Sequence, residues 1–282
     1  MPELPEVETI ARGVHKRVRG QKIIQAWFGS HPQPFKTPAA QQARALEGLV
    51  IVAVHRTGKH IVCELSVAEN GAQGKSQGSV SAQWIVHLGM TGRLLVTTPD
   101  APLAPHTHAR LSLCNGKEIR FVDPRRFGRL ELRNLGQTAG FSAPGAEPLT
   151  IEAEEFAALF HGRRLTIKAA LLNQKLLAGV GNIYADESLF HAGIRPRKRC
   201  ERLTRADLER LRHALQKILL AAISLGGSSV SDYVDAEGVR GFFQLEHCVY
   251  LRTGQPCRQC ETPIRRILVA GRGTHYCPQC QH

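Results

Sequence analysis

The sequence predicts an α+β protein of more than one domain, rich in β-strands in its first half and in helices in its second. Three observations carry that expectation. Between Lys22 and Leu132, eight short apolar or alternating runs are separated by Gly, Pro and Asn, the pattern of a sandwich or barrel. Beyond a Gly-, Ala- and Pro-rich stretch at Leu135–Pro148, the apolar spacing changes from two residues to three and four. Two Cys-x-x-Cys pairs close the chain.

The elements follow in order. Val7, Ile10, Val14 and Val18 make one apolar stripe, so residues 5–18 read as a helix. Pro5, Glu6 and Glu8 suit its first turn, His15, Lys16 and Arg17 its last, and Gly20 ends it. The strand candidates are Lys22–Phe28, Leu49–Val54, His60–Leu65, Gln83–Leu88, Arg93–Thr97, Ala109–Leu113, Glu118–Val122 and Gly128–Leu132. Ala39–Glu47 reads as a short helix, and polar, Gly/Ser-rich Asn70–Ser81 as a hairpin loop. In the second half, Glu152–Phe160, Ile167–Leu172 and Ile183–His191 read as helices. Thr204 caps a long one whose stripe is Leu208, Leu211, Leu215, Ile218, Leu219 and Ala222, ended by Gly226-Gly227.

Composition bounds the function. The 282 residues carry a net charge of +13, and 43% are hydrophobic. The excess of base is the footprint of a nucleic-acid binder, although an anionic membrane or simple solubility produces the same sign. No run is long enough to span a bilayer, and no basic amphipathic helix appears. The opening residues do not read as a signal peptide, so a reducing, cytoplasmic location and free thiols are expected. Cys63 and Cys114, within apolar runs, read as buried thiols.

Cys257, Cys260, Cys277 and Cys280 have the spacing of a tetrahedral Cys₄ site. Four thiolates leave no open position, so one structural zinc is expected, the alternative being two redox pairs. The intervening Ile264–His275 reads as a basic hairpin with its tip at Gly271-Arg272-Gly273. Gly179-Val180-Gly181-Asn182 opens a helix whose N–H groups suit a phosphate, or it is only a tight turn. Lys168 lies close upstream and offers a point charge to the same backbone. Lys59 follows Gly58 at the mouth of a β-run, where a lysine is ordinarily solvated.

The chain opens Met1-Pro2-Glu3-Leu4-Pro5-Glu6-Val7-Glu8. Removal of Met1 would leave Pro2 as a secondary amine, nucleophilic toward a sugar C1′, with the Glu3 carboxylate beside it to move protons. The plain alternative is that Pro-Glu only starts a helix.

Six ordered blocks then resemble the formamidopyrimidine-DNA glycosylase/endonuclease VIII family. They are Pro2 to Thr9, Gly58-Lys59, His87-Leu88-Gly89-Met90-Thr91-Gly92, Asp123-Pro124-Arg125-Arg126-Phe127-Gly128, Gly179 to Ala185, and the Cys₄ finger. The resemblance implies a β-sandwich flanked by helices over residues 1–134, a linker at 135–149, a helix–two-turn–helix DNA-binding domain at 150–244 and a zinc finger at 245–282. It implies a monomeric bacterial enzyme on the nucleoid, acting on double-stranded DNA that contains oxidised bases or abasic sites. Oxidised purines would be removed through a Schiff base of the N-terminal proline and the strand then cut by β,δ-elimination. Pro2, Glu3, Lys59 and Arg272 match catalytic positions. His106, Lys168 and Asn182 match DNA-binding positions, with Lys168, Asn182 and Arg272 gripping the backbone around the flipped nucleotide. Met90, Arg125 and Phe127 match the residues that fill the gap it leaves. Without the resemblance, Phe127 reads as core and Arg125 as half of a salt bridge. An oxidised-pyrimidine glycosylase of the endonuclease VIII type and a non-enzymatic zinc DNA-binding protein are the competing readings. Departures from the family pattern are Thr107 between His106 and His108, Leu251 within Val249-Tyr250-Leu251-Arg252, and Gly226-Gly227-Ser228-Ser229.

Overall fold

The computed structural model describes residues 1–32, 34–67, 79–230 and 233–282. Most of the loop expected at Asn70–Ser81 lies outside the described residues. The chain forms two compact units that are not contiguous in sequence. One comprises Met1–Pro2, Glu6–Ser142 and Ser228–Gly241; the other Glu3–Pro5, Ala143–Gly227 and Phe242–His282.

The first unit is a sandwich with two helices. Helix α1 (Leu4–Val18) starts one residue earlier than its stripe indicates, which leaves Pro5 inside the first turn, where no intrahelical N–H bond is needed. Then come β1 (Ile23–Phe28), α2 (Ala39–Leu46), β2 (Leu49–Thr57), β3 (His60–Val67), β4 (Ala82–His87), β5 (Arg93–Thr97), β6 (Thr107–Leu113), β7 (Glu118–Val122) and β8 (Arg129–Asn134). They form two antiparallel four-stranded sheets, ordered β1-β6-β7-β5 and β2-β3-β4-β8. Ile23, Leu94, Leu111 and Phe121 from one sheet and Ile51, Ile61, Trp84 and Leu130 from the other join a single core. Val7, Ile10, Val14 and Val18 of α1 seal it, as do Tyr233 and Ala236 from the distant 228–241 segment. At roughly 25 cal/mol per Å² of apolar surface, each such side chain contributes about 1.5–3 kcal/mol. Cys63 is buried as expected, but Cys114 is exposed, because β6 ends at Leu113 and Cys114 enters the following turn.

The second unit is helical and ends in a two-stranded hairpin. Its elements are α3 (Ala153–Phe160), α4 (Ile167–Leu172), α5 (Asn182–His191), α6 (Arg205–Ser224), β9 (Arg265–Val269) and β10 (Arg272–Tyr276). Thr204 and Asp207 form a capping box that starts α6, and Leu208, Leu211, Leu215, Ile218, Leu219 and Ala222 are its buried stripe. Positive φ at Gly226 and Gly227 turns the chain away after Leu225. The hairpin turn is Ala270-Gly271, both with positive φ, the geometry that matches strand twist. The tip therefore lies one residue earlier than expected, and Arg272 is the first residue of β10, paired with Val269.

Candidate active site and metal centre

The opening residues are anchored by the second unit's Gly-rich turn. Leu4 N–H donates to Gly179 C=O at 3.0 Å. The buried Glu3 carboxylate accepts from the Ile183 N–H at 3.2 Å and the Tyr184 N–H at 3.4 Å, two of the unpaired donors that begin α5. Helix α5 has no side-chain cap from its own Gly181, so Glu3 acts as its cap from elsewhere in the chain. Both glycines are sterically required. Gly179 has φ +92, and a Cβ on Gly181 would fall 2.2 Å from Glu3 Cδ. The anion site expected for a phosphate at this helix start is thus occupied by a carboxylate of the protein itself.

Lys168, at the start of α4, is wholly enclosed, with 0% exposure. Its ammonium donates to Asp186 Oδ1 at 2.6 Å, Thr274 Oγ1 at 2.8 Å and Gly273 C=O at 3.3 Å. All three donors are committed inside the protein, so in this structure it presents none to a phosphate. Burial lowers its pKa, and the Asp186 carboxylate opposes that shift. Asn182 Nδ2 also donates to Gly273 C=O, at 3.0 Å. Asp186 Oδ2 in turn accepts from the His275 N–H at 2.8 Å. These bonds lock α4, α5 and β10 together, and beside them Arg272 is exposed and makes no ion pair among the described residues.

In the first unit, Lys59 sits in the β2–β3 turn after Gly58, whose φ is +59. It is buried, not solvated. His87 lies near it; burial first, then the Lys59 charge, pushes this ring down to about 4. His60, 4.8 Å from His87 between ring centres, is lowered to about 4 by burial and by His87. Both imidazoles are therefore neutral at neutral pH.

Met90, Arg125 and Phe127 are far apart in sequence but meet in two apposed loops. Gly89, at φ +63, approaches the Phe127 backbone so closely that a Cβ there would lie 2.4 Å from the Phe127 carbonyl carbon. Asp123 holds both loops: Oδ1 accepts from Thr91 Oγ1 at 2.6 Å and Oδ2 from the Gly128 N–H at 2.7 Å. Met90 is 42% and Phe127 49% exposed, and the Arg125 guanidinium stacks 4.9 Å over the Phe127 ring. Phe127 is thus outside the core, and Arg125 makes no salt bridge among the described residues. His106 is exposed at φ 63, and its C=O accepts from the Asp123 N–H at 3.0 Å.

Cys257, Cys260, Cys277 and Cys280 bring their sulfurs within 4.8 Å of one another. Three of the Sγ···Sγ separations are 3.3, 3.5 and 3.9 Å. Zinc with Zn–S bonds of about 2.3 Å in a tetrahedron requires about 3.8 Å. The Gln259 and Cys280 N–H groups point at Cys257 Sγ and Cys277 Sγ, the donors that a thiolate knuckle uses. The four cysteines fit one structural zinc, which would staple β9 and β10 at their base. Cys257 and Cys277 pack with Phe190 of α5, Val249 and Ile264 in a small apolar cluster.

This geometry has relatives. Residues 1–130 match the formamidopyrimidine-DNA glycosylase N-terminal domain, residues 143–234 the formamidopyrimidine-DNA glycosylase H2TH domain, and residues 254–282 a zinc finger found in FPG and IleRS. The chain belongs to the formamidopyrimidine-DNA glycosylase family. Formamidopyrimidine-DNA glycosylase of Solibacter usitatus is 44% identical over 282 residues, covering 100% of this chain and 99% of its own. That of Moorella thermoacetica is 44% identical over 273 residues, with 95% and 94% covered. Among solved structures, a Lactococcus lactis FPG mutant complexed with Fapy-dG-containing DNA superposes with a TM-score of 0.87 at 36% identity, covering 100% of both chains. The Lactococcus lactis Fpg complex with DNA containing an abasic site gives 0.86 at 36% identity, with 99% of both covered.

Two residues that sequence reasoning misses hold these groups in place. Asp186 is the counter-ion of Lys168, and its signal was present: it stands four residues after Asn182, on the same side of α5. Asp123 appeared only as part of a block, yet it ties the Met90 loop to the Phe127 loop.

Proposed function

We propose that this chain removes oxidised purines from duplex DNA in base excision repair and then cleaves the strand at the abasic site it creates. Family membership carries the glycosylase and lyase activities. The observation that carries the residue assignment is the Glu3 carboxylate fixed by the first turn of α5, immediately next to Pro2. With Met1 removed, the Pro2 nitrogen attacks C1′ of the damaged nucleotide as the bond from C1′ to the base breaks. The base leaves with a proton and the Pro2 nitrogen gives up its own; the C1′–O4′ bond then breaks as O4′ takes a proton, and the opened sugar remains joined to Pro2 as an iminium. Loss of a C2′ proton then expels the 3′ phosphate, and a second elimination expels the 5′ phosphate. Glu3 is the group within reach to move these protons. Lys59 and Arg272 supply positive charge to the phosphates, and Asn182 positions the backbone that carries Arg272. Met90, Arg125 and Phe127 fill the stack once the nucleotide is flipped out, and His106 contacts DNA beside them.

The division of labour we infer is catalysis in residues 1–134, duplex binding in 150–244 and a zinc-stapled groove reader in 245–282, in a monomer. A cytoplasmic, nucleoid-bound enzyme fits the bacterial relatives and the lack, among the described residues, of any helix long and apolar enough to cross a membrane. Borohydride reduction during turnover on a duplex with a single 8-oxoguanine tests the assignment. The expected product is a stable DNA adduct on a peptide that begins at Pro2. An adduct on Lys59 instead overturns it, and so does full activity in protein that retains Met1.

A further inference from the structure

Beside the four finger cysteines, the second unit carries another convergence of ligating side chains. Glu187 and His191 are four residues apart on α5 and so share a face. Cys248 comes against both. One ligand atom from each lies within 4.8 Å of the others, and His191 Nε2 is 3.7 Å from Cys248 Sγ. A metal ion bound to both would impose nearly this separation. A nitrogen at about 2.0 Å and a sulfur at about 2.3 Å, at a tetrahedral angle, lie about 3.5 Å apart.

Glu187 supplies a second, independent observation. It is buried, and no cationic side chain pairs with it among the described residues. The charge acting on it is another carboxylate, Asp186. Its Oε1 accepts from the Val249 and Tyr250 N–H groups, at 3.0 and 2.8 Å. Among the described residues its Oε2 accepts only from the Cys248 N–H, at 2.9 Å, which leaves that oxygen a lone pair. A buried carboxylate without a counter-cation is costly, and a divalent ion removes that cost. Access is open, since His191 is exposed and Cys248 only partly buried. One thiolate, one imidazole and one carboxylate are the donors of a three-ligand zinc site that keeps a position for water.

We propose that Glu187, His191 and Cys248 bind a second zinc ion, separate from the Cys₄ site, which fastens the 248–250 segment to α5. The test is zinc content of the full-length protein, purified from zinc-supplemented cells and passed through metal-free buffer. The expected result is about two zinc ions per chain, against about one in Cys248→Ser and in His191→Ala. Cobalt substitution supplies a second readout. Titration of protein whose Cys₄ site is already filled with zinc should add a saturable visible absorption with a single-thiolate charge-transfer band, absent in Cys248→Ser. His191→Ala alters an exposed side chain, so it keeps the comparison valid if the cysteine variant fails to fold. About one zinc in wild-type protein, with no saturable second cobalt signal, overturns the proposal and leaves Cys248 as a thiol that donates to His191 or to the Glu246 carbonyl, 3.6 Å away.

Discussion

Replacing Gly181 by alanine isolates the Glu3 geometry without touching Glu3. The added Cβ would lie 2.2 Å from Glu3 Cδ and 2.4 Å from Oε1, where ordinary contact needs about 3.4 Å. The carboxylate must therefore retreat by about 1.2 Å, far enough to break both bonds to the α5 N–H groups. Gly181 itself has φ −134, which alanine adopts freely, so the backbone adds no strain. Loss of the cap costs about 1–2 kcal/mol of stability, an amount that leaves the protein folded at room temperature. Displacing a catalytic group by about 1 Å costs on the order of 100-fold in rate. Single-turnover excision of 8-oxoguanine from a duplex, with DNA affinity and thermal melting recorded beside it, separates the two effects. The expected outcome is a rate about 100-fold lower with binding within about threefold of the parent. A wild-type excision rate in Gly181→Ala would show that the carboxylate does not work from where α5 holds it.

Further outcomes follow from the same structure. Lys168→Met should destabilise the protein by about 3–5 kcal/mol in urea unfolding, because Asp186 is left as an unpaired buried charge, and a second change, Asp186→Asn, should recover part of it. Arg272→Ala should leave stability unchanged but lower the slope of log affinity against log salt by about 0.9, one phosphate's worth; an unchanged slope would remove Arg272 from the DNA contact. Phe127→Ala should slow lesion excision about 10-fold or more while sparing cleavage of a preformed abasic site and the melting temperature, since half the ring is already in solvent. Leu251→Gly should stabilise by about 0.5 kcal/mol in thermal melting, as relief of the φ +58 conformation exceeds the entropy returned to the unfolded chain.

Local pattern and tertiary role were legible to different degrees. Arg93–Thr97, Glu118–Val122 and Ile167–Leu172 have the same bounds in the structure as in the apolar spacing, because each is bracketed by breakers. The order β1-β6-β7-β5 was not readable, since alternation marks a buried face without naming the strand beside it. Lys168 shows the same limit for charge. A lysine on an apolar helix looks alike whether its partner is a phosphate or an aspartate eighteen residues on, and only the fold brings Asp186 up to it. Glu3 and Gly181 each stand out in the sequence, but as parts of separate devices. Their joint role depends on a contact across 180 residues. The trio of Met90, Arg125 and Phe127 came from resemblance; its half-exposed apolar side chains become visible only when burial is known.

The interleaved segments also govern how the molecule is made. Tyr233 and Ala236 belong to the core of the first unit, although residues 143–227 of the second precede them in the chain. On the ribosome the N-terminal sandwich therefore stays incomplete until nearly the whole protein has emerged, and its apolar face is open during that interval. A fragment cut at the linker would inherit the same gap. Synthesis, not only stability, thus couples the two units, and truncated versions should aggregate where the full chain folds.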